Sequence, residues 1–214
     1  MNLTWKKALL VGVTTLLCAF SATACGGVNL QAGDSGLYDK KNDISYSHAS
    51  PVYEATSLLK EYGKLTVTSK ESYALYTIPG TEPSEMLATE DFNIVYSSEM
   101  DMPTLVEMNP TILRVCRDSI EVKRLDDAAL VSSLATAYEN NEAISYPGLT
   151  PHQNYKVRFE SASYPGFYYT LTYVEYSADL VVDGQNYGKY FLYDAFDQRF
   201  VPVDDSLHKA VDTQ

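Results

Sequence analysis

The residues of this chain able to do chemistry are three histidines, one interior cysteine and a cluster of carboxylates. His48, His152 and His208 are widely separated, and none stands in an H-E-x-x-H or Cys-x-x-Cys pattern, so their spacing builds no zinc site. Cys116 lies near Arg114 and Arg117, and neighbouring positive charge favours the reactive thiolate. On a strand, alternation puts Arg114 on the Cys116 face and Arg117 on the other. A Cys–His nucleophile with His152 is conceivable; a half-buried structural cysteine is the expectation. Asp194, Asp197, Asp204 and Asp205 offer oxygen ligands, but the fixed order of an EF-hand loop is missing, and they read as turn and helix-cap carboxylates. Gly-x-Ser-x-Gly, Walker and GxGxxG patterns are absent. With 28 acidic residues, carboxylate pairs are too common to single out a glycosidase site. No catalytic residue, metal or cofactor is expected.

What remains is aromatic. Along residues 166–176 (GFYYTLTYVEY), Phe167, Tyr169, Leu171 and Tyr173 share one face of a strand and read as core. Tyr168, Thr170, Thr172, Val174 and Tyr176 share the other. Tyrosine combines large apolar area with a polar tip and few rotamers, which suits recognition. Tyr168, Tyr176, Tyr187 and Tyr190 are therefore the candidate interaction surface; the alternative is a thin sheet in which Tyr stands in for Phe.

The elements that would position these residues read as follows. Ser50-Pro51, then Val52, Ala55, Leu58, Leu59 and Tyr62, then Gly63, predict a first helix with both ends marked. Strands are expected at 64–69, 72–78, 92–97, 112–116 and 119–123, separated by Pro and Gly turns. A second helix is expected at 126–140, capped by Asp126 or Asp127. Strands at 155–161, 167–176, 179–182, 189–193 and 199–203 have connections short enough for an antiparallel meander, and a short helix closes the chain at 205–211. Helices and grouped strands together predict an α+β fold: a mainly antiparallel sheet with two or three helices packed on it.

The N-terminus carries an address. Lys6 and Lys7 precede a 13-residue apolar run, 8–20, too short to span a bilayer and right for a secretory signal. Ala22-Thr23-Ala24-Cys25 then resembles the lipobox of bacterial lipoproteins, with Ala where Leu is usual at its first position. The resemblance covers residues 1–25 only. It implies that Cys25 is diacylated and becomes the new N-terminus, on the extracytoplasmic face of the cell membrane. Ala22-Thr23-Ala24 also satisfies the A-x-A rule of ordinary signal cleavage, which would leave a plain thiol. Two acyl chains anchor stably where one holds only marginally.

Residues 26–47, rich in Gly, Asp, Asn and Ser, read as a flexible tether, the rival being an N-terminal strand. Residues 48–214 read as a single globular domain. Cleavage before Cys25 leaves 14 basic and 28 acidic residues, a net charge of −14 that repels phosphate backbones and disfavours a nucleic-acid partner. Such a chain is expected to bind without chemistry at the cell envelope, its partner another envelope protein. The alternatives are a small-ligand, glycan or peptide receptor serving a transporter, and an envelope hydrolase.

Overall fold

The computed structural model describes residues 28–33 and 36–212; the leader and Cys25 lie outside them. With 45% of the described residues in strands and 11% in helices, this is a mostly-β protein built on a closed barrel and a larger sheet, and the α+β expectation is overturned. Two segments account for the error, and both lie in the N-terminal third.

The first is the expected tether. It carries β1 (Val28–Gly33), β2 (Gly36–Asp39) and β3 (Ile44–His48). Asn42 and Asp43 lie in the turn between β2 and β3, while Asn29, Gly33, Gly36 and Asp39 belong to the strands themselves. Buried Leu30, Leu37 and Tyr46 meet inside the barrel. The globular unit thus begins at least twenty residues earlier than position 48.

The second is the expected helix at 50–63. In its place are a turn, closed by the Tyr53 amide donating to the Ser50 carbonyl at 2.9 Å, then β4 (Tyr53–Ala55), and the start of β5 (Glu61–Thr68). Helical spacing lost here to tertiary partners. Tyr53 meets Phe167 and Tyr169 edge-on, at 5.8 and 5.2 Å between ring centres. Glu54 pairs with Arg158 and, at 2.8 Å, with Lys156. An isolated helix of this length is marginal in water, whereas a strand placed on a sheet edge gains all of these contacts.

The barrel continues with β6 (Glu71–Tyr76), β7 (Met86–Thr89) and β8 (Ile94–Ser97), and its order around the ring is β1-β2-β3-β8-β7-β6-β5. Every pairing is antiparallel except β1 with β5, whose parallel register closes the ring. Leu65, Leu75, Leu87 and Val95 complete the interior with the three residues named above. The end of the barrel where β1 begins is plugged. Asp39 is fully buried there and accepts from the Lys41 amide at 3.1 Å and the Asn42 side chain at 2.5 Å. Tyr46 donates to the Pro83 carbonyl at 3.2 Å, and burial, with Asp39 and Tyr62 nearby, pushes its hydroxyl up to about 12.

The rest of the chain forms β9 (Ile112–Arg117), β10 (Ile120–Leu125), α1 (Ala128–Asn140), β11 (Gln153–Glu160), β12 (Phe167–Glu175), a small hairpin of β13 (Val181–Val182) and β14 (Gln185–Asn186), then β15 (Tyr190–Asp194), β16 (Arg199–Val203) and α2 (Ser206–Asp212). The sheet order is β10-β9-β11-β12-β15-β16, with β4 pairing the first residues of β12. Asp127 caps α1, its carboxylate accepting from the Ala129 and Leu130 amides. Val131, Leu134, Ala135 and Tyr138 of α1 join the same core as Leu113, Val157 and Leu171 of the sheet. Met86, Ala88 and Ile94, on the outer side of the barrel, belong to that core too, so the two parts share one hydrophobic interior.

Two Pro-Gly turns lock this junction. A Cβ on Gly166 would lie 2.6 Å from the Pro79 carbonyl oxygen, and one on Gly80 (φ +72°) would lie 2.5 Å from the Pro165 ring.

Candidate ligand-binding cleft

The barrel end opposite the Asp39 plug is not filled. Strand alternation carries the interior face of the barrel to this end, where Val67, Tyr73, Thr89 and Asn93 line a cleft of about 540 Å3 floored by Leu65. The chain leaving β3, from His48 to Pro51, forms one wall, and Phe196 from the β15–β16 turn overhangs it. The volume lies within the range of small-molecule sites, and barrel mouths are one of their usual locations.

The polar equipment is sparse and unspent. Among the described residues, five side chains have a buried polar atom without a hydrogen-bond partner, and half-buried Ser50 and buried Thr89 of this cleft are two of them. Thr89 is 6% exposed, so its hydroxyl has given up water without a return inside the protein. Backbone bonds fix it in place: its amide donates to the Asn93 carbonyl at 2.9 Å, and its carbonyl accepts from the Phe92 amide at 3.0 Å. That turn holds Phe92 at φ +64°, a region costly for a bulky side chain, and is tied to β4 through the Ala55 amide and a bridge between Glu54 and Asn93. Position and strain at this rim are thus imposed by the sheet.

Phe196 is held out by the acidic cluster. Asp194 is 2% exposed, and one of its oxygens accepts from the Phe196 amide at 2.8 Å and the Asp197 amide at 3.3 Å. The ring stays 64% exposed and also borders a shallower hollow of about 150 Å3 lined by Lys156, Thr170, Thr172 and Tyr193. Of the other clustered acids, Asp204 accepts from the Ser206 amide and Asp205 pairs with Lys209 at 2.7 Å. Among the described residues no group of three or more metal-ligating side chains converges.

The cleft gathers His48, Ser50 and Asp91, the types of a hydrolytic triad. The Ser50 hydroxyl bonds to no base, so the contact that activates a nucleophile is missing. Cys116 is buried, accepts from Arg158 at 3.8 Å, and has no histidine partner. His152 is exposed, and His208 stacks on Tyr190 while its Nδ1 lies 3.1 Å from Glu175.

The four tyrosines expected to form one surface are scattered. The guanidinium groups of Arg114 and Arg158 lie over the Tyr168 ring, 5.9 and 5.6 Å from its centre. Arg114 is itself held by Glu160 at 2.6 Å and Glu121 at 2.7 Å, and Arg158 by Glu54, so this face is an internally paired charge lattice. Tyr176 is 6% exposed and packs on Phe191 and Phe200 in a separate small core, which Tyr187 flanks. Tyr190 sits on the opposite side of the sheet, against Tyr173 and His208. The opposite set, Phe167, Tyr169, Leu171 and Tyr173, lies in the main core.

His48 apart, the residues lining the cleft give no joint signal in the sequence because they come from five separate segments. The one local signal was Phe196, a large aromatic between acids at a hairpin tip, where no core needs it.

No protein-family model, curated protein or solved structure matches this chain.

Proposed function

We propose that this chain is a lipid-anchored protein of the extracytoplasmic membrane face that binds a small, largely apolar ligand in the mouth of its barrel and performs no chemistry on it. The observation that carries this reading is the cleft itself: apolar walls, an exposed aromatic overhang and two buried hydroxyls without partners. Such a site gains affinity by covering exposed Val67 and Phe196, and gains orientation by pairing Ser50 and Thr89. Its charge selects against anions. Among the described residues Asp91 is the only carboxylate in the lining and no lysine or arginine accompanies it, and the chain as a whole carries −12. The expected ligand is uncharged or a cation. The anchor rests on the Ala22-Thr23-Ala24-Cys25 sequence and the leader before it.

The test uses the processed full-length protein and the neutral dye 1-N-phenylnaphthylamine. Saturable fluorescence enhancement that is lost with Val67→Asp supports the site. Enhancement absent, or indifferent to Val67→Asp and Phe196→Ala, rejects it. Separately, Cys25→Ser is expected to move the protein from the membrane to the soluble fraction, and an unmodified thiol at the processed N-terminus removes the anchor.

A further inference from the structure

Barrel polarity and the position of Cys25 together fix which end of the protein meets the membrane. β1 begins at Val28, three residues after Cys25, and three residues span at most ~10 Å even when extended. With strand instead of tether at 28–33, an anchor at Cys25 leaves the body no room to stand off from the lipid.

The residues around the start of β1 suit that neighbour. Leu30 pairs with Asp39, so the β2–β3 turn carrying Lys40 and Lys41 reaches past the beginning of β1 on one side. Val28 pairs with Gly63 and Asn29 with Lys64, so Lys60 and Lys64 flank it on the other. All four lysines are exposed, and among the described residues none forms an ion pair. They include four of the 14 basic residues that follow the leader of an otherwise acidic chain. The carboxylates close to them are Glu61, Asp43, which accepts from Tyr38, and buried Asp39. Glu85 and Glu99 of the same rim share a hollow with Asp43 on the β3–β8 side, beyond the lysine turn. The four unpaired lysines thus stand on both sides of β1, from which the anchor emerges, while the acids gather towards β3 and β8.

We propose that this lysine-flanked rim rests on anionic lipid headgroups around the protein's own anchor, so that the ligand cleft opens away from the bilayer. This rests on the reading that Cys25 carries the lipid. Strands of about 20 Å, tilted ~40° as in other barrels, hold the cleft mouth ~15 Å above the rim. A ligand then reaches the cleft from the aqueous side and not directly from the bilayer.

The experiment places a fluorophore on Asn42→Cys, in the lysine turn, or on Glu90→Cys, at the cleft rim. The full-length lipidated protein is reconstituted into phosphatidylglycerol–phosphatidylcholine vesicles containing a headgroup quencher. Severalfold stronger quenching at 42 than at 90 is expected. Each lysine held at an anionic surface biases orientation about fivefold. Lys40→Glu with Lys41→Glu, or pure phosphatidylcholine, should therefore shrink the difference between the two labels severalfold while the short link to Cys25 and membrane binding are kept. Vesicle-bound protein with equal quenching, or stronger quenching at 90, overturns the orientation and leaves the anchor intact. Protein that fails to join the vesicles and shows a free Cys25 thiol overturns the anchor, and the orientation with it.

Discussion

Thr89→Val should move stability and ligand binding in opposite directions, whereas a mere packing defect would change stability alone. Thr89 is 6% exposed and its hydroxyl has no partner, so the folded protein bears a desolvation cost of about 1–3 kcal/mol for that group. Valine has nearly the same shape and suits a strand end, and the backbone bonds at 2.9 and 3.0 Å that shape the Thr89–Asn93 turn do not involve the side chain. The substitution is therefore expected to stabilise by about 1–2 kcal/mol. For a chain of this size that raises the thermal midpoint by roughly 2–8 °C. Urea unfolding followed by circular dichroism measures it, with an unchanged m-value showing that stability alone has moved. Binding should move the other way for a ligand that bonds the hydroxyl, by about 0.5–1.5 kcal/mol, or roughly two- to twelvefold. The apolar dye 1-N-phenylnaphthylamine should be held as before. A loss of stability of about 1 kcal/mol or more would refute the reasoning, since it would mean that the hydroxyl is satisfied in the native state.

Gly166→Ala is expected to destabilise by about 1–3 kcal/mol, because its Cβ would overlap the Pro79 carbonyl oxygen at 2.6 Å; a chemical melt within error of the parent would contradict the locked turns. Phe196→Ala should weaken dye binding with little change in thermal midpoint, since the ring is 64% exposed and supports no core. Burial raises the Glu54 carboxyl, but hydrogen bonds and charges from Arg158 and Lys156 outweigh it and hold the pKa below the ordinary value of 4.5. The unfolded chain therefore takes up this proton first, and the stabilisation Glu54 supplies is complete above that value and fades as pH falls towards the folded pKa. Glu54→Gln should lower stability at neutral pH and flatten this part of the acid limb, read from urea midpoints at successive pH values.

Where local chemistry sufficed, the chain was legible. Asp127 caps the second helix, and Val131, Leu134 and Tyr138 recur on its buried face because propensity, cap and burial agree there. The alternation from Phe167 to Tyr173 likewise survives in β12, since a period of two on a central strand leaves one register that buries it. The turn acids Asp194 and Asp204 bond to amides two residues on, a contact local enough to be written in sequence.

Tertiary contacts decided the remainder. Ser50 to Gly63 has helical spacing, yet its neighbours are Phe167, Tyr169 and Arg158, more than a hundred residues away, and these cross-strand contacts prevailed over a weak local preference. Residues 28–48 look like linker by composition because Gly, Asp and Asn stand in the strands as well as in the turn between β2 and β3. Only the parallel pairing of β1 with β5 turns them into a barrel wall. Tyr168 and Tyr176 alternate as an outward face should, but Arg114, Arg158, Phe191 and Phe200 cover them, and no periodicity reports what lies above a strand. The cleft is the extreme case, for Val67, Thr89 and Phe196 meet only after a ring has closed and a sheet has docked against it. Periodicity records which way a side chain points; closure of the chain in space decides what it meets there.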